Sequence, residues 1–393
     1  MHNQVFRDFL QKYTKQNIPS ASTLKKNYLD ICYDEVILPI REDIGDSCIW
    51  LCVDETTDPM GRYIANLIVG KLDPNQASTP HLLCCKQLEK VNSQSIAYFI
   101  NKGLQLLYPG GVDDSKVLLL ISDAASYMIA SAPLLTTFYP SLIHVTCMAH
   151  ALHRLAETIR AEFPAVNNLI SAMKKVFCKA PSRIAIFREK LPSIPLPPQP
   201  IITLWGSWLE AALYYAEHLE EIMTVIDYVP LMDNSACVSS VKELLKDYSS
   251  VQRDIAYIQA NFSFLPVSIT KMEEKGNSLK QQFSVIEEAE NNIQSARGKV
   301  GDKIRGKWAS VLKKNPGYSV LKRLHHVMNG DKLDLPSEIE LKNACTFSYA
   351  PITSVCVERS FSAFKMILTD KRHCLTVENL EKIIVMYCKA NYE

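Results

Sequence analysis

The chain has 393 residues, 47% of them hydrophobic and 22% charged, with a formal net charge of +1. That balance is ordinary for a soluble globular protein and excludes a polycation, so any contact with nucleic acid must run through a local patch. The length allows two domains, or one domain with a large insertion.

The opening "MHNQVFRDFLQKYTKQ" is polar and mixed in charge, unlike a secretory signal. No stretch of roughly 18 apolar residues occurs, so no membrane partner is expected. Twelve cysteines are scattered without a paired framework; they read as reduced, largely buried thiols of an intracellular protein. Residues 1–47 read as short helices. In "ASTLKKNYLDICYDEVILPIREDI", Leu24, Tyr28, Leu29, Cys32 and Val36 share one face, with Ser20 or Ser22 as a cap.

The texture then changes. "SCIWLCV", "RYIANLIVGKL" and "HLLCCKQL" are apolar runs of strand length joined by turn residues, which predicts an antiparallel meander. "SQSIAYFINKGLQLLYPGG" predicts a helix capped by Ser93 or Ser95 and stopped at Pro109-Gly110-Gly111. "KVLLLIS" predicts a strand buried on both faces, and "AASYMIASAPLLTTF" a helix with a proline kink. "SLIHVTC" is a fifth strand running into the helix "AHALHRLAETIRAEF". The order β-β-β-α-β-α-β-α gives a mixed five-stranded sheet with helices on its faces, the order of the ribonuclease H-like fold. Periodicity alone does not separate it from other mixed α/β sheets.

Beyond this the pattern is helical. "KLPSIPLPPQPIIT" is an extended proline-rich spacer, and "WGSWLEAALYYAEHLEEIMTVIDYV" a long amphipathic helix. Residues 297–326 hold nine Lys or Arg against the single Asp302, with Trp308 and Tyr318 interleaved. Lys303, Arg305, Lys307, Lys313 and Lys314 in that block are candidate backbone contacts to a duplex, and a solvated helix face reads the block equally well. "PITSVCVERSFSAFKM" then places Val357, Phe361, Phe364 and Leu368 on one stripe with Glu358 at its edge. "LTVENLEKIIVMYCKAN" closes the chain as a helix.

Asp54 follows the first strand and Asp123 the fourth. In a sheet of this order those strands are neighbours, so the two carboxylates would approach, and like charges that close call for a cation between them. Paired divalent ions roughly 4 Å apart stabilise both oxygens of a phosphoryl transfer, and Mg²⁺ (or Mn²⁺) suits such hard oxygen ligands. Asp58 is a rival for the first position, although it begins the turn "DPMG". "DETTD" and "SDAAS" also let Asp54 and Asp123 be turn or cap residues. Glu358 is a candidate third acid if its helix lies against the same end of the sheet.

The runs "VDETTD", "LLISDAASYM", "HVTCMAHALHRLA", "LWGSWLEAALYYA" and "VCVERSFSAFKMIL…VENLEKIIV" resemble the hAT transposase superfamily from about residue 5 to the end. The likeness is greatest to host-domesticated animal copies in the group of the CGG triplet repeat-binding protein relatives. The resemblance implies an N-terminal helical segment (1–47), a ribonuclease H-like domain (48–164) interrupted by an all-helical insertion (165–345), and a last part (346–393) that pairs with a second copy. It implies an acidic triad Asp54, Asp123 and Glu358 that binds Mg²⁺ or Mn²⁺, a Cys-x-x-His motif at Cys147 and His150, and a DNA-contacting tryptophan at Trp205. It implies a nuclear protein with DNA and a second copy of itself as partners.

Two departures from the family follow. Relatives carry Arg before that tryptophan, and this chain has Leu204, which removes a possible phosphate contact. Relatives also carry an N-terminal zinc finger, whereas here no Cys precedes Cys32 and no zinc-finger spacing occurs. Cys147 and His150, with His144 and His153 near in sequence, make half a zinc site, so no zinc is expected and a structural role is favoured. The expectation is a DNA-binding, dimerising derivative with reduced or lost catalysis. An active Mg²⁺-dependent Asp-Asp-Glu transposase is the alternative, and an inert remnant a third reading.

Overall fold

A computed structural model of the chain describes residues 4–58, 60–201, 205–228, 236–368 and 375–392, with Trp205 and Tyr392 described by backbone alone. The fold is mixed α/β and 65% helical. The chain forms two compact units: Met1–Cys147 with Gly276–Lys280 and Asn315–Glu393, and Met148–Lys275 with Gln281–Lys314. Among the described residues no helix is long and apolar enough to cross a membrane.

The first unit is built on five strands: β1 (Ile49–Thr57), β2 (Tyr63–Lys71), β3 (His81–Leu88), β4 (Val117–Ser122) and β5 (Ile143–Thr146). Their order across the sheet is β3-β2-β1-β4-β5. β1–β2 and β2–β3 are antiparallel, as the short "DPMG"-type connections require, while β1–β4 and β4–β5 are parallel. The crossover from β3 to β4 runs through α4 (Ser93–Leu107), and that from β4 to β5 through α5 (Ser126–Thr136), which contains Pro133. All six residues of β4 are buried, which matches its unbroken apolar run. Each fully buried Leu or Ile there contributes about 2 kcal/mol.

Local chemistry sets the element ends. Ser20 caps α2 (Ala21–Asn27), its side chain accepting the Thr23 N–H. At α4 the cap is Asn92, one residue before the expected serines. Its side chain accepts the Ser95 N–H while Ser95 Oγ accepts the Asn92 N–H, so Ser95 serves as the returning half of a capping box. Trp50 pairs with Gly70 across β1–β2, and a Cβ at Gly70 would stand 2.5 Å from the indole ring. The glycine is the space in which the indole lies, with Nε1 donating to Ser78 Oγ at 3.0 Å.

Both edges of the sheet are covered. α3 (Leu29–Ile44) reaches the β2–β3 side through Asp43, which pairs with Lys71 at 2.7 Å and His81 at 2.8 Å. α17 (Val377–Tyr392) packs on β3 and α3. It brings in Glu381, 4% exposed, whose Oε2 accepts from Lys86 Nζ at 2.5 Å. Burial raises the Glu381 pKa and the Lys86 bond draws it back. At the other edge, Asn315 is 1% exposed and acts as a short length of strand: Oδ1 accepts the Thr146 N–H at 3.0 Å and Nδ2 donates to Thr146 O at 2.8 Å. The same Oδ1 caps α15 (Pro316–Met328) by accepting the Tyr318 N–H. α15 packs so closely on β5 that a Cβ at Gly317 would lie 2.0 Å from His144 O.

The second unit is helical throughout its described residues. α6 (Met148–Glu162) packs against α9 (Trp205–Tyr228), α12 (Phe264–Glu273) and α14 (Gly298–Lys313). α7 (Pro164–Phe177) packs against α10 (Ala236–Leu244) and α11 (Tyr248–Phe262). The sequence reading puts the insertion at 165–345; the compact units divide at 147/148 and 314/315, with Gly276–Lys280 also in the first unit. α6 joins the helical unit because its apolar face, including Leu152, Leu155 and Ile159, is fully covered there. α15 joins the sheet through Asn315 and Gly317. The proline-rich spacer carries neither helix nor strand over 194–201 apart from a turn at its start.

Replacing Asn315 by Ala removes three hydrogen bonds and leaves the buried Thr146 peptide groups unpaired. Urea unfolding should show a loss of about 2–4 kcal/mol, and Asn315→Asp, which sets a buried carboxylate oxygen against Thr146 O, should cost at least as much.

Candidate acidic site at the ends of two parallel strands

The β1–β4 ladder pairs Trp50 with Leu119, Leu51 with Leu120 and Cys52 with Ile121. Two further steps along both strands lead to Asp54 and Asp123, so the two aspartates stand at corresponding positions just beyond the last pair. Both are half-buried. Each carboxylate is held by its own backbone: Asp54 Oδ1 accepts the Glu55 N–H at 2.8 Å, and Asp123 Oδ1 accepts the Ala125 N–H at 3.0 Å, an Asx turn leading into α5. Asp123 therefore does serve as a turn residue, and one of its oxygens remains outside that bond.

Asp58, the rival, has another role. It is 6% exposed; Oδ1 accepts the backbone N–H groups of Met60 and Arg62, and Oδ2 pairs with Arg62 Nε at 2.7 Å. Every bond closes the β1–β2 turn, and the carboxylate is consumed in doing so.

Alternation along β1 puts Cys52 and Asp54 on one face and Glu55 on the other. The first face is covered by α16 (Val355–Ile367), which carries Glu358 in its first turn. Asn66, the cross-strand partner of Asp54, donates to Ser360 Oγ at 2.6 Å, and Cys52 is hydrogen-bonded with Cys356. Burial, then that bond, pushes the Cys52 thiol well above its usual range, so it stays protonated. Val357, Phe361, Phe364 and Leu368 are buried and Glu358 is half-buried beside them, as the stripe predicts.

The start of α16 is tied to the same end of the sheet. The Cys147 N–H donates to Ser122 O at 2.8 Å, and Cys147 Sγ accepts the N–H of Ser354, the α16 N-cap residue, at 3.1 Å. Cys147 thus ties the end of β4 to the start of α16 through one backbone and one side-chain hydrogen bond. His150 belongs to the second unit, on α6, with its ring 6.4 Å from that of His153. His153 Nε2 pairs with Glu273 at 3.2 Å.

Sequence reasoning missed two groups around the pair. Ser122 Oγ donates to Asp123 O at 2.8 Å, so His144 Nε2, also 2.8 Å away, must be the donor to Ser122. Burial pushes the His144 pKa down from 6.5 to about 4, consistent with a neutral ring. Tyr127, in the first turn of α5, donates to Glu55 Oε1 at 2.6 Å. Burial first, then the Glu55 bond and the charges of Glu55, Asp123 and Asp54, push its phenol far above the normal range. No spacing in the sequence links Tyr127 with Glu55.

Among the described residues no three His, Cys, Asp or Glu side chains form a group able to hold a metal ion. The donor chemistry of the Asp54–Asp123 pair still fits Mg²⁺ in the mode in which one or two carboxylates bind and waters complete the shell.

The expected DNA-contacting residues fall on the second unit. Lys299, Lys303, Lys307 and Lys314 recur at helical spacing along α14 and its C-cap and are exposed. Lys303 pairs with Glu162, and Arg305 pairs with Asp302 and donates to Ala296 O. Lys307, Lys313 and Lys314 are exposed. Lys322 and Arg323 of the basic block lie on α15 in the first unit. The Trp205 side chain and Leu204 lie outside the described residues.

Residues 19–176 match the family model "Domain of unknown function (DUF659)", a family associated with hAT-type, transposase-like proteins. No curated protein matches the chain in sequence.

The neutral His144 makes stability pH-dependent. A histidine whose folded pKa is depressed contributes fully above pH 6.5, and the contribution is lost as pH falls towards 4. Over that window the wild type should lose about 3 kcal/mol that His144→Gln does not lose, measured by urea unfolding at pH 7, 5.5 and 4.5.

Proposed function

We propose that the chain is a hAT transposase-derived nuclear protein that binds DNA and forms homodimers or higher homo-oligomers through its C-terminal region, with phosphodiester chemistry reduced or lost. The observation that carries the ancestry is the strand order β3-β2-β1-β4-β5, which is the ribonuclease H-like order, with Asp54 and Asp123 at matching ends of its central parallel pair. The DUF659 match over 19–176 supports the same lineage. Reduced catalysis is supported by Leu204, which stands where the resembled family carries the Arg before its DNA-contacting tryptophan and so offers no cation to a phosphate.

Retained catalysis is the second reading, favoured by the register of the two aspartates. Asp54 and Asp123 would hold the cation and Glu358 would approach from α16. A bound Mg²⁺ would supply charge stabilisation to a phosphodiester oxygen. The chain's own part is to fix the carboxylates: Asp54 and Asp123 through the Glu55 and Ala125 amides, and the start of α16 through Cys147 and Ser354.

Isothermal titration with Mg²⁺ or Mn²⁺ separates the readings. Uptake that disappears in Asp123→Asn, together with nicking of duplex DNA that needs the metal, supports catalysis; no uptake supports the non-catalytic derivative. DNA contact through α14 has its own test. Lys307→Glu with Lys314→Glu should weaken binding to a labelled duplex of arbitrary sequence and lower the salt slope of log Kd by about 2, read by fluorescence anisotropy. An unchanged slope leaves the stripe a solvated face.

A further inference from the structure

We propose that Tyr127 is a positioning residue that sets the separation of Asp54 and Asp123, by fastening the end of β1 to the start of α5; the inference rests on the second reading above, in which those carboxylates form one divalent-cation site. The β1–β4 ladder ends at Cys52 and Ile121, two residues short of the aspartates. Past that point β1 runs on beside β2 alone, to Thr57, while the chain after β4 turns away into α5. Nothing in the ladder therefore fixes how far apart the two acid-bearing segments stand.

The phenol of Tyr127 spans them. It sits four positions after Asp123, in the first turn of α5, and donates at 2.6 Å to the carboxylate of Glu55, the neighbour of Asp54. Glu55 faces the side of the sheet opposite to Asp54, so the tie is made without occupying the acidic face. A neutral phenol donating to a carboxylate is a strong, short bond, and Tyr127 is half-buried, which shields it from water. The segment after Asp123 is already short and stiff, because Asp123 Oδ1 holds the Ala125 N–H. A displacement of Tyr127 is therefore passed directly to Asp123, and one of Glu55 to the Glu55 N–H that holds Asp54.

The test uses the full chain with Tyr127→Phe, Glu55→Ala and Glu55→Gln, the last keeping an acceptor for the phenol while removing the charge. Mn²⁺ alone is the probe, followed by its electron paramagnetic resonance signal, with amide hydrogen exchange at Glu55 and Ala125 as a reading that needs no metal. Tyr127→Phe and Glu55→Ala are expected to raise the Mn²⁺ Kd about tenfold, to alter the spectrum of the bound ion, and to speed exchange at both amides about tenfold. Glu55→Gln is expected to stay within about twofold of wild type in all three.

Damage by Glu55→Gln equal to that by Glu55→Ala would overturn the proposal, since Glu55 would then act through its charge. Unchanged exchange and affinity in Tyr127→Phe would overturn it as well. If the wild type takes up no Mn²⁺, the cation-site reading falls and exchange alone decides the tie: faster exchange in Tyr127→Phe upholds it, and unchanged exchange ends it.

Discussion

The parallel pairing of β1 with β4 is the constraint on which the rest of the first unit depends. β1 is the only one of the two that also takes an antiparallel neighbour, so it joins the meander β1-β2-β3 to the crossover part β4-β5. The register is held by side chains that cannot be exposed: the first five residues of β1 and all six of β4 are buried. A slip of either strand along the other would draw Asp54 or Asp123 into that apolar interior, where a carboxylate is costly to bury. The same register leaves an aspartate at the position where each strand escapes the apolar interior, the place at which a carboxylate can keep water or a cation.

α16 completes that arrangement from far away in the chain. Asn66 and Ser360 are 294 positions apart and meet at 2.6 Å, and Ser354 reaches Cys147 across 207 positions. The sheet is therefore not finished until the chain has passed through the helical unit and returned at Asn315, whose side chain supplies β5 with the hydrogen bonds that a sixth strand would have made. A first unit closed by such long-range contacts folds slowly relative to one built from neighbours. Asn315 is suited to the return because one amide offers both a donor and acceptors to an exposed edge.

The contrast between Asp54 and Asp58 shows how position decides the use of one residue type. Both lie near the end of β1. Asp58 satisfies two backbone N–H groups and one guanidinium within a single turn, and is buried as a consequence. Asp54 takes one backbone N–H and keeps a half-exposed place beside Asn66. Lys303 and Arg305 differ from Lys307 and Lys314 in a similar way. The first two meet Glu162 and Asp302 within the helical unit, while the other two lie on the exposed face of the basic stripe.

Much of this was legible in the residues. Unbroken apolar runs identified the five strands, turn residues made the first three antiparallel, and helical spacing identified α16 with Glu358 at the margin of its buried stripe. Those features are local, because backbone geometry and the cost of burying polar groups act over a few residues. The boundaries of the two units, the roles of Asp58 and Asn315, and the contacts Asn66–Ser360, Ser354–Cys147 and Tyr127–Glu55 were decided by tertiary structure. Each joins residues whose spacing along the chain carries no periodic signal, and a hydrogen bond between them exists only once packing has brought donor and acceptor within about 3 Å.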